Sequence, residues 1–181
     1  MIICAGRNET FEFATPIGVG LIESAITLTR YLEKHRPEFL LFVGTAGSYG
    51  HHNIFDLVYS HTAANIELGY FQHQCYTPLT SVIETNHKYV PRETLLPFVS
   101  VNSSNYITTQ NELTHHYRDN HIDIENMEFF SIVSVANAFE IPCLGLFCIT
   151  NFCHHDAHKE FISHHAEAKR LLTQQIQTLF N

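Results

Sequence analysis

Two polar side chains bracket the most apolar segment of the chain. Glu128 stands beside Met127 at the start of NMEFFSIVSVANAFEIPCLGLFCITN, residues 126–151, and Asn151 closes it. A carboxylate at the start of a buried helix meets the favourable end of the helix dipole. An amide at the end of an apolar strand stands where open α/β sheets bind ligands, beyond the carboxyl ends of their strands. The same criterion selects Gly44, Thr45, Ala46 and Gly47, and the stretch 102–107, because each follows an apolar run. Glycine after a strand and glutamate in a first helical turn are also ordinary punctuation. Spacing alone therefore reaches a small-molecule site and no further.

The elements that must carry these residues alternate between short apolar runs and helical periodicity. MIICAG reads as a strand and TFEFATPI as a second, with a hairpin turn around Asn8 and Glu9. Between residues 21 and 35 the positions Leu21, Ile22, Ala25, Ile26, Leu28 and Leu32 predict an amphipathic helix. EFLLFVGTAGS is a buried run ending in glycine, the pattern of a parallel strand emerging into a tight loop. FDLVYSHTA, LPFVSVNSS and PCLGLFCIT read as further strands, and residues 68–97, which hold Gly69, Pro78, Pro91 and Pro97, as loop with room for short strands. Helices are predicted over 110–118, over 127–139 with Pro142 beyond its end, and over 159–180. The alternation gives an α/β single domain, a mixed central sheet flanked by helices, spanning residues 1–181.

Composition narrows the function classes. The 181 residues are 45% apolar and 15% charged, enough for one core, and the net charge is −8 with the basic residues scattered. No basic stripe for nucleic acid or anionic membrane is visible. The N-terminus lacks a basic signal-peptide region, and no window holds eighteen consecutive apolar residues, so a cytoplasmic location is expected. Five cysteines without a C-x-x-C pair fit buried thiols in a reducing compartment.

Four motifs in register take the reading further. VGTAGS (43–48), NSSNYITT (102–109), NMEFFSIVSVANAFEIP (126–142) and CITN (148–151) occur in the order and approximate spacing of the nucleoside phosphorylase and nucleosidase superfamily. The chain resembles methylthioadenosine/S-adenosylhomocysteine nucleosidases, with purine nucleoside phosphorylases as cousins, and PIGVG (16–20) resembles the family's glycine-containing segment before its first long helix. The resemblance implies cleavage of a purine nucleoside at its N-glycosidic bond. It assigns Glu128 to the ribose hydroxyls, Met127 beneath the sugar, Tyr106 to stacking on the base and Ile107 to main-chain contact with the base edge. Thr45, in its turn with Gly44, Ala46 and Gly47, would face phosphate in a phosphorylase or the nucleophilic water in a hydrolase. Asn151 would meet the purine N7. Those residue types suit a reaction that builds positive charge on the ribose ring and negative charge on the leaving base.

Departures from the family pattern bear on mechanism. Nucleosidases carry Asp where Asn151 stands, and an amide donates a hydrogen bond but supplies no proton. Trimeric purine nucleoside phosphorylases also have Asn there, which moves the substrate expectation weakly towards 6-oxopurines. The first strand aligns better with the family's second, which would mean that the opening strand-helix unit, with its water-activating Glu, is absent. Glu9, Glu12 and Glu23 are candidate stand-ins, each also readable as a surface or capping charge. Phe42 stands where hexameric phosphorylases place a phosphate-binding Arg, and Asn126 replaces the first Glu of the family's Glu-Met-Glu. His154, His155, Asp156, His158, His164 and His165 crowd residues 154–165, where His154 and His158 would share a face of a helix; imidazole and carboxylate suit zinc, nickel or iron, yet no metal is expected because the H-E-x-x-H order is missing. His155 and His158 are the weak candidates there for reaching sugar or base, and His51 and His52 read as loop residues.

Two readings remain open at this level. One is a ribosyl-bond-cleaving enzyme, hydrolase in preference to phosphorylase. The other is a degenerate member that binds a nucleoside or base without turnover, or a structural subunit. The resemblance also implies a homo-oligomer, a dimer first, whose neighbour completes the pocket. It implies no organic cofactor.

Overall fold

A computed structural model of the chain describes residues 1–86 and 95–180. Within it, eight strands form one mixed sheet. They are β1 (Ile2–Cys4), β2 (Thr15–Pro16), β3 (Leu40–Ser48), β4 (Leu57–Ala64), β5 (Val82–Glu84), β6 (Phe98–Asn102), β7 (Ile124–Glu125) and β8 (Cys143–Phe152). The helices are α1 (Gly20–Leu32), α2 (Leu68–Phe71), α3 (Thr114–Asp119), α4 (Phe129–Ala138) and α5 (Ala157–Phe180). The sheet runs β2-β1-β3-β7-β6-β4-β5, and β8 pairs with both β3 and β4, so that β3, β7, β6, β4 and β8 close on one another.

β3 and β8 pair in parallel along almost their whole length and every residue of β3 is buried. Their apolar runs are continuous because helices cover both faces. Successive side chains point to opposite faces of a strand. Phe42 of β3 joins Phe129, Ile132 and Val133 of α4 and Leu28 and Leu32 of α1 in one core, and Leu41 and Val43 pack with Ala168, Leu172 and Ile176 of α5 in the other. Phe42 is fully buried, with its ring 6.2 Å from that of Phe129 and 5.7 Å from that of Phe147. It is a core residue, not a surrogate for a phosphate ligand.

Several local expectations are corrected. β1 and β2 pair in parallel, Ile3 with Thr15 and Cys4 with Pro16, so they are not a hairpin, and the stretch between them, 5–14, is non-helical. The glycine turn is not a loop. Gly44 to Gly47 lie within β3, whose register against β8 shifts between Ala46 and Gly47. The buried stripe of α1 is Gly20, Ser24, Leu28 and Leu32, at four-residue spacing, which leaves Ile22 and Ile26 68% and 49% exposed. β7, two residues long, has no counterpart among the expected strands. His154 precedes α5, so it shares no helical face with His158. Pro91, read as loop, lies outside the described residues. No described helix is long and apolar enough to cross a membrane.

Candidate active site

A cavity of about 280 Å³ opens at the carboxyl ends of β1, β3 and β8 and the start of α4. That volume is close to the lower end of small-ligand sites, roughly 300–1,000 Å³. Glu128 and Asn151 both line it, together with Thr45, Ala46, Gly47, Met127, Tyr106 and Ile107. Of the expected site residues only Gly44 is absent from the wall. A side chain at Gly44 would strike the Phe42 ring at 2.9 Å and reach within 3.5 Å of Glu9 Oε2, so this glycine serves to make room beneath the wall.

Glu9 is the residue that sequence reasoning undervalued. After β1 the chain reverses through Gly6 and Arg7, both at positive φ, with Glu9 N–H donating to Gly6 O at 2.9 Å. Glycine reaches that conformation without a Cβ penalty. The reversal swings the Glu9 carboxylate inward until it is 8% exposed and lines the cavity. Its Oε1 accepts the backbone N–H of Thr45 at 2.7 Å and the Thr45 hydroxyl. Burial raises its pKa, against those two donors. The signal lies in the pattern: MIIC is an apolar run, and Glu9 follows it across a glycine turn. Glu12 and Glu23 are exposed; Glu23 accepts from Val19 N–H at 3.0 Å and pairs with Arg7 at 3.2 Å, a surface ion pair of little energetic weight.

Glu128 is 3% exposed, and its Oε1 accepts the N–H of Gly20, the first residue of α1, at 2.9 Å. An anion there complements the helix dipole of α1, a different helix from the one expected. Leu21 N–H is taken by Asn105 Oδ1 at 2.9 Å. Asn126, at the lost Glu position, has a structural task of its own. Its Oδ1 accepts from Glu128 N at 2.9 Å and Phe129 N at 3.1 Å, capping α4, while its Nδ2 donates to Thr45 O at 3.1 Å. Thr45 and Asn126 thus tie the two carboxylates into one network.

Burial, then the neighbouring Glu9 charge, pushes the Glu128 pKa from 4.5 up to about 7. The folded protein therefore holds this proton more tightly than the unfolded chain. Its contribution to stability is fully present below about pH 4.5 and is lost as pH rises through about 7, a change on the order of 3 kcal/mol. We expect Glu128→Gln to gain stability relative to the wild type between pH 5 and pH 8. Paired denaturant titrations at the two pH values measure it, and a difference independent of pH would refute the shift.

Asn151 is set by its neighbours. Thr150 Oγ1 donates to its Oδ1 at 2.9 Å, and its Nδ2 donates to Phe152 O at 3.2 Å. In the sheet Gly47 pairs with Asn151 on one side and Glu125 on the other. A Cβ on Gly47 would lie 2.9 Å from Asn151 Nδ2, 3.1 Å from Cys153 Sγ and 3.3 Å from Glu125 Cγ. Gly47→Ala is expected to cost about 1–3 kcal/mol in denaturant unfolding.

The remaining candidates fall as follows. Tyr106 and Ile107 sit on the rim, 80% and 48% exposed. His158 and Phe161 of α5 close the far wall. His155 is paired outside with Asp156 at 3.0 Å, and His51 with Asp123 at 3.2 Å. His154, His155 and Asp156 offer ligand atoms within 4.8 Å of one another, but His154 is already engaged by Asp156 N–H and Glu160. The five cysteines are free thiols, four buried and Cys75 exposed.

The model of the Phosphorylase superfamily matches residues 2–181. No curated protein sequence matches the chain. Among solved structures, futalosine hydrolase of Helicobacter pylori superposes with a TM-score of 0.81 at 17% identity, over 98% of this chain and 95% of that one. The 5'-methylthioadenosine/S-adenosylhomocysteine nucleosidase of Helicobacter pylori, bound to butyl-thio-DADMe-Immucillin-A, gives 0.81 at 16% identity over 98% and 95%. The S-adenosylhomocysteine nucleosidase of Streptococcus pyogenes, complexed with 5-methylthiotubericidin, gives 0.78 at 15% identity over 98% and 94%.

Proposed function

Because the chain belongs to the phosphorylase superfamily, we propose that it hydrolyses the N-glycosidic bond of a purine nucleoside, with water as the acceptor. The observation that carries this reading is the convergence of Glu9, Glu128 and Asn151 on one cavity. Glu128 accepts the ribose hydroxyls and its charge favours the cation developing on the ring. Glu9, held by Thr45, takes a proton from the attacking water. Asn151 donates to N7 as electrons flow into the base. Met127 supports the sugar, Tyr106 covers the base and the main chain at Ile107 meets its edge.

Charge balance favours water over phosphate. Three carboxylates face the cavity, Glu9 and Glu128 buried and Glu125 half-buried, whereas the one arginine among the described residues of its wall, Arg7, is paired with Glu23. A dianion would enter against that field without a bidentate partner. The presence of Glu9 also removes the main argument for a degenerate binder, the loss of a water-activating carboxylate. The expected homodimer fits the exposed rings and side chains at the rim and on α1, Tyr106, Ile107, Ile22 and Ile26, which a second copy would cover.

The test is release of free base from inosine, guanosine, adenosine and methylthioadenosine, with and without phosphate. Release independent of phosphate is expected. Release only with phosphate, or none from any nucleoside, would overturn the hydrolase reading.

A further inference from the structure

The first long helix of the fold has no capping side chain where one is usual. Ser, Thr, Asp or Asn just before a helix accepts the free amides of its first turn, but α1 is preceded by Val19, an apolar residue of the cavity wall. Those amides are answered from distant parts of the chain. Gly20 N–H donates to Glu128, and the next amide, Leu21 N–H, donates to Asn105 Oδ1 at 2.9 Å, across 84 residues of sequence. Gly20 has a φ of +80°, and a Cβ there would lie 2.6 Å from Asn105 Oδ1, so the contact is built around a glycine.

Asn105 interrupts a run of cavity residues. Ser104, Tyr106 and Ile107 line the wall and Asn105 does not. The stretch is tied before Asn105 by Ser103 N–H, which donates to Ala64 O at 2.7 Å, and after it by Thr108 N–H, which donates to Glu125 Oε1 at 3.1 Å. Tyr106 N–H donates to Ser104 Oγ at 3.1 Å, a bond within the stretch itself. From 105 to 107, the Leu21–Asn105 bond is the one hydrogen bond among the described residues that reaches another element. Burial does not take its place, because Tyr106 and Ile107 are exposed at the rim.

Given that Tyr106 and Ile107 meet the base, as proposed above, we propose that Asn105 is a positioning residue, whose bond to the first turn of α1 holds that stretch where it can receive a base. Consecutive amides of one helix end then fix both the carboxylate assigned to the sugar and the residues assigned to the base. Without the bond, only a fraction of the molecules present Tyr106 and Ile107 correctly, and apparent affinity falls by that fraction.

The test is calorimetric binding of free hypoxanthine and free adenine to the wild type, Asn105→Ala and Asn105→Asp, with an unfolding midpoint for each. Asn105 is exposed, so neither change disturbs the core. Asn105→Ala is expected to weaken the better-bound base about tenfold, with the number of sites per chain unchanged. Asn105→Asp keeps an acceptor for Leu21 N–H and suits a helix N-terminus, so it should return to within about twofold of the wild type. Wild-type affinity in Asn105→Ala would overturn the proposal, as would an aspartate variant no better than the alanine one. So would a lower midpoint with fewer sites at unchanged affinity, the signature of a purely structural cap, or a wild type that binds neither base. Binding is read without turnover. The expected loss of affinity in a protein whose wild type releases no base would sustain the positioning role and sink the cleavage, and base release with an affinity indifferent to Asn105 would do the reverse.

Discussion

Replacing Glu9 with glutamine is expected to lower base release by about 10²–10⁴-fold, the range for loss of a positioned general base, while nucleoside affinity changes little. The amide oxygen introduced by Glu9→Gln would still accept from Thr45 N–H and the Thr45 hydroxyl, so the turn through Gly6 survives and only the proton acceptor is removed. The same variant carries a second signature. Glu9 is one of the two influences that raise Glu128, after burial. Without its charge the Glu128 pKa should fall below about 7, and the acid limb of the binding profile should move to lower pH. Stopped base-release assays and binding titrations across pH 5–9 measure both. Full activity in Glu9→Gln would remove it from the mechanism.

The second large effect is at Glu128. Glu128→Gln keeps a carbonyl oxygen to accept Gly20 N–H, yet loses the negative charge beneath the developing ribose cation. A fall of about 10²–10³-fold in kcat/KM is expected, comparable with the loss of one preorganised electrostatic contact, and with it the limb near pH 7 that the ionised form produces. Glu128→Ala is a less clean probe, because it also strips an acceptor from the first turn of α1, at about 1 kcal/mol. The glutamine variant separates the two roles. Its kcat/KM on the best nucleoside, measured at pH 8, should fall while its unfolding midpoint rises relative to the wild type.

Why some of this was legible in the sequence and some not has a physical explanation. The long, strongly periodic segments were readable: the continuous apolar runs of β3 and β8 declare strands covered on both faces, and α4 declares its burial by being apolar almost all round. The ends of those runs located Thr45, Gly47, Glu128 and Asn151, because a ligand site lies where apolar pattern gives way to polar residues. Glu9 was harder, since local pattern reads Asn8 and Glu9 as a solvent turn. Its burial depends on Thr45, distant in sequence, and on the room left by Gly44. Glu125 was missed for a related reason: β7 is too short to show a period, and the pairing that places Glu125 beside Asn151 runs through Gly47, which displays no side chain. Parallel pairing of β1 with β2 likewise follows from docking β1 beside β3, not from the turn between them.

The claim beneath these expectations is that three side chains from distant parts of the chain grip one nucleoside. It is tested most directly by a crystal structure of the Glu9→Gln variant soaked with inosine. The ribose hydroxyls should lie within hydrogen-bonding distance of the Glu128 carboxylate, N7 beside Asn151, and the face of C1′ opposite the base turned towards the substituted side chain. A nucleoside seated elsewhere, or bound here with its sugar turned away from Glu128, would contradict it.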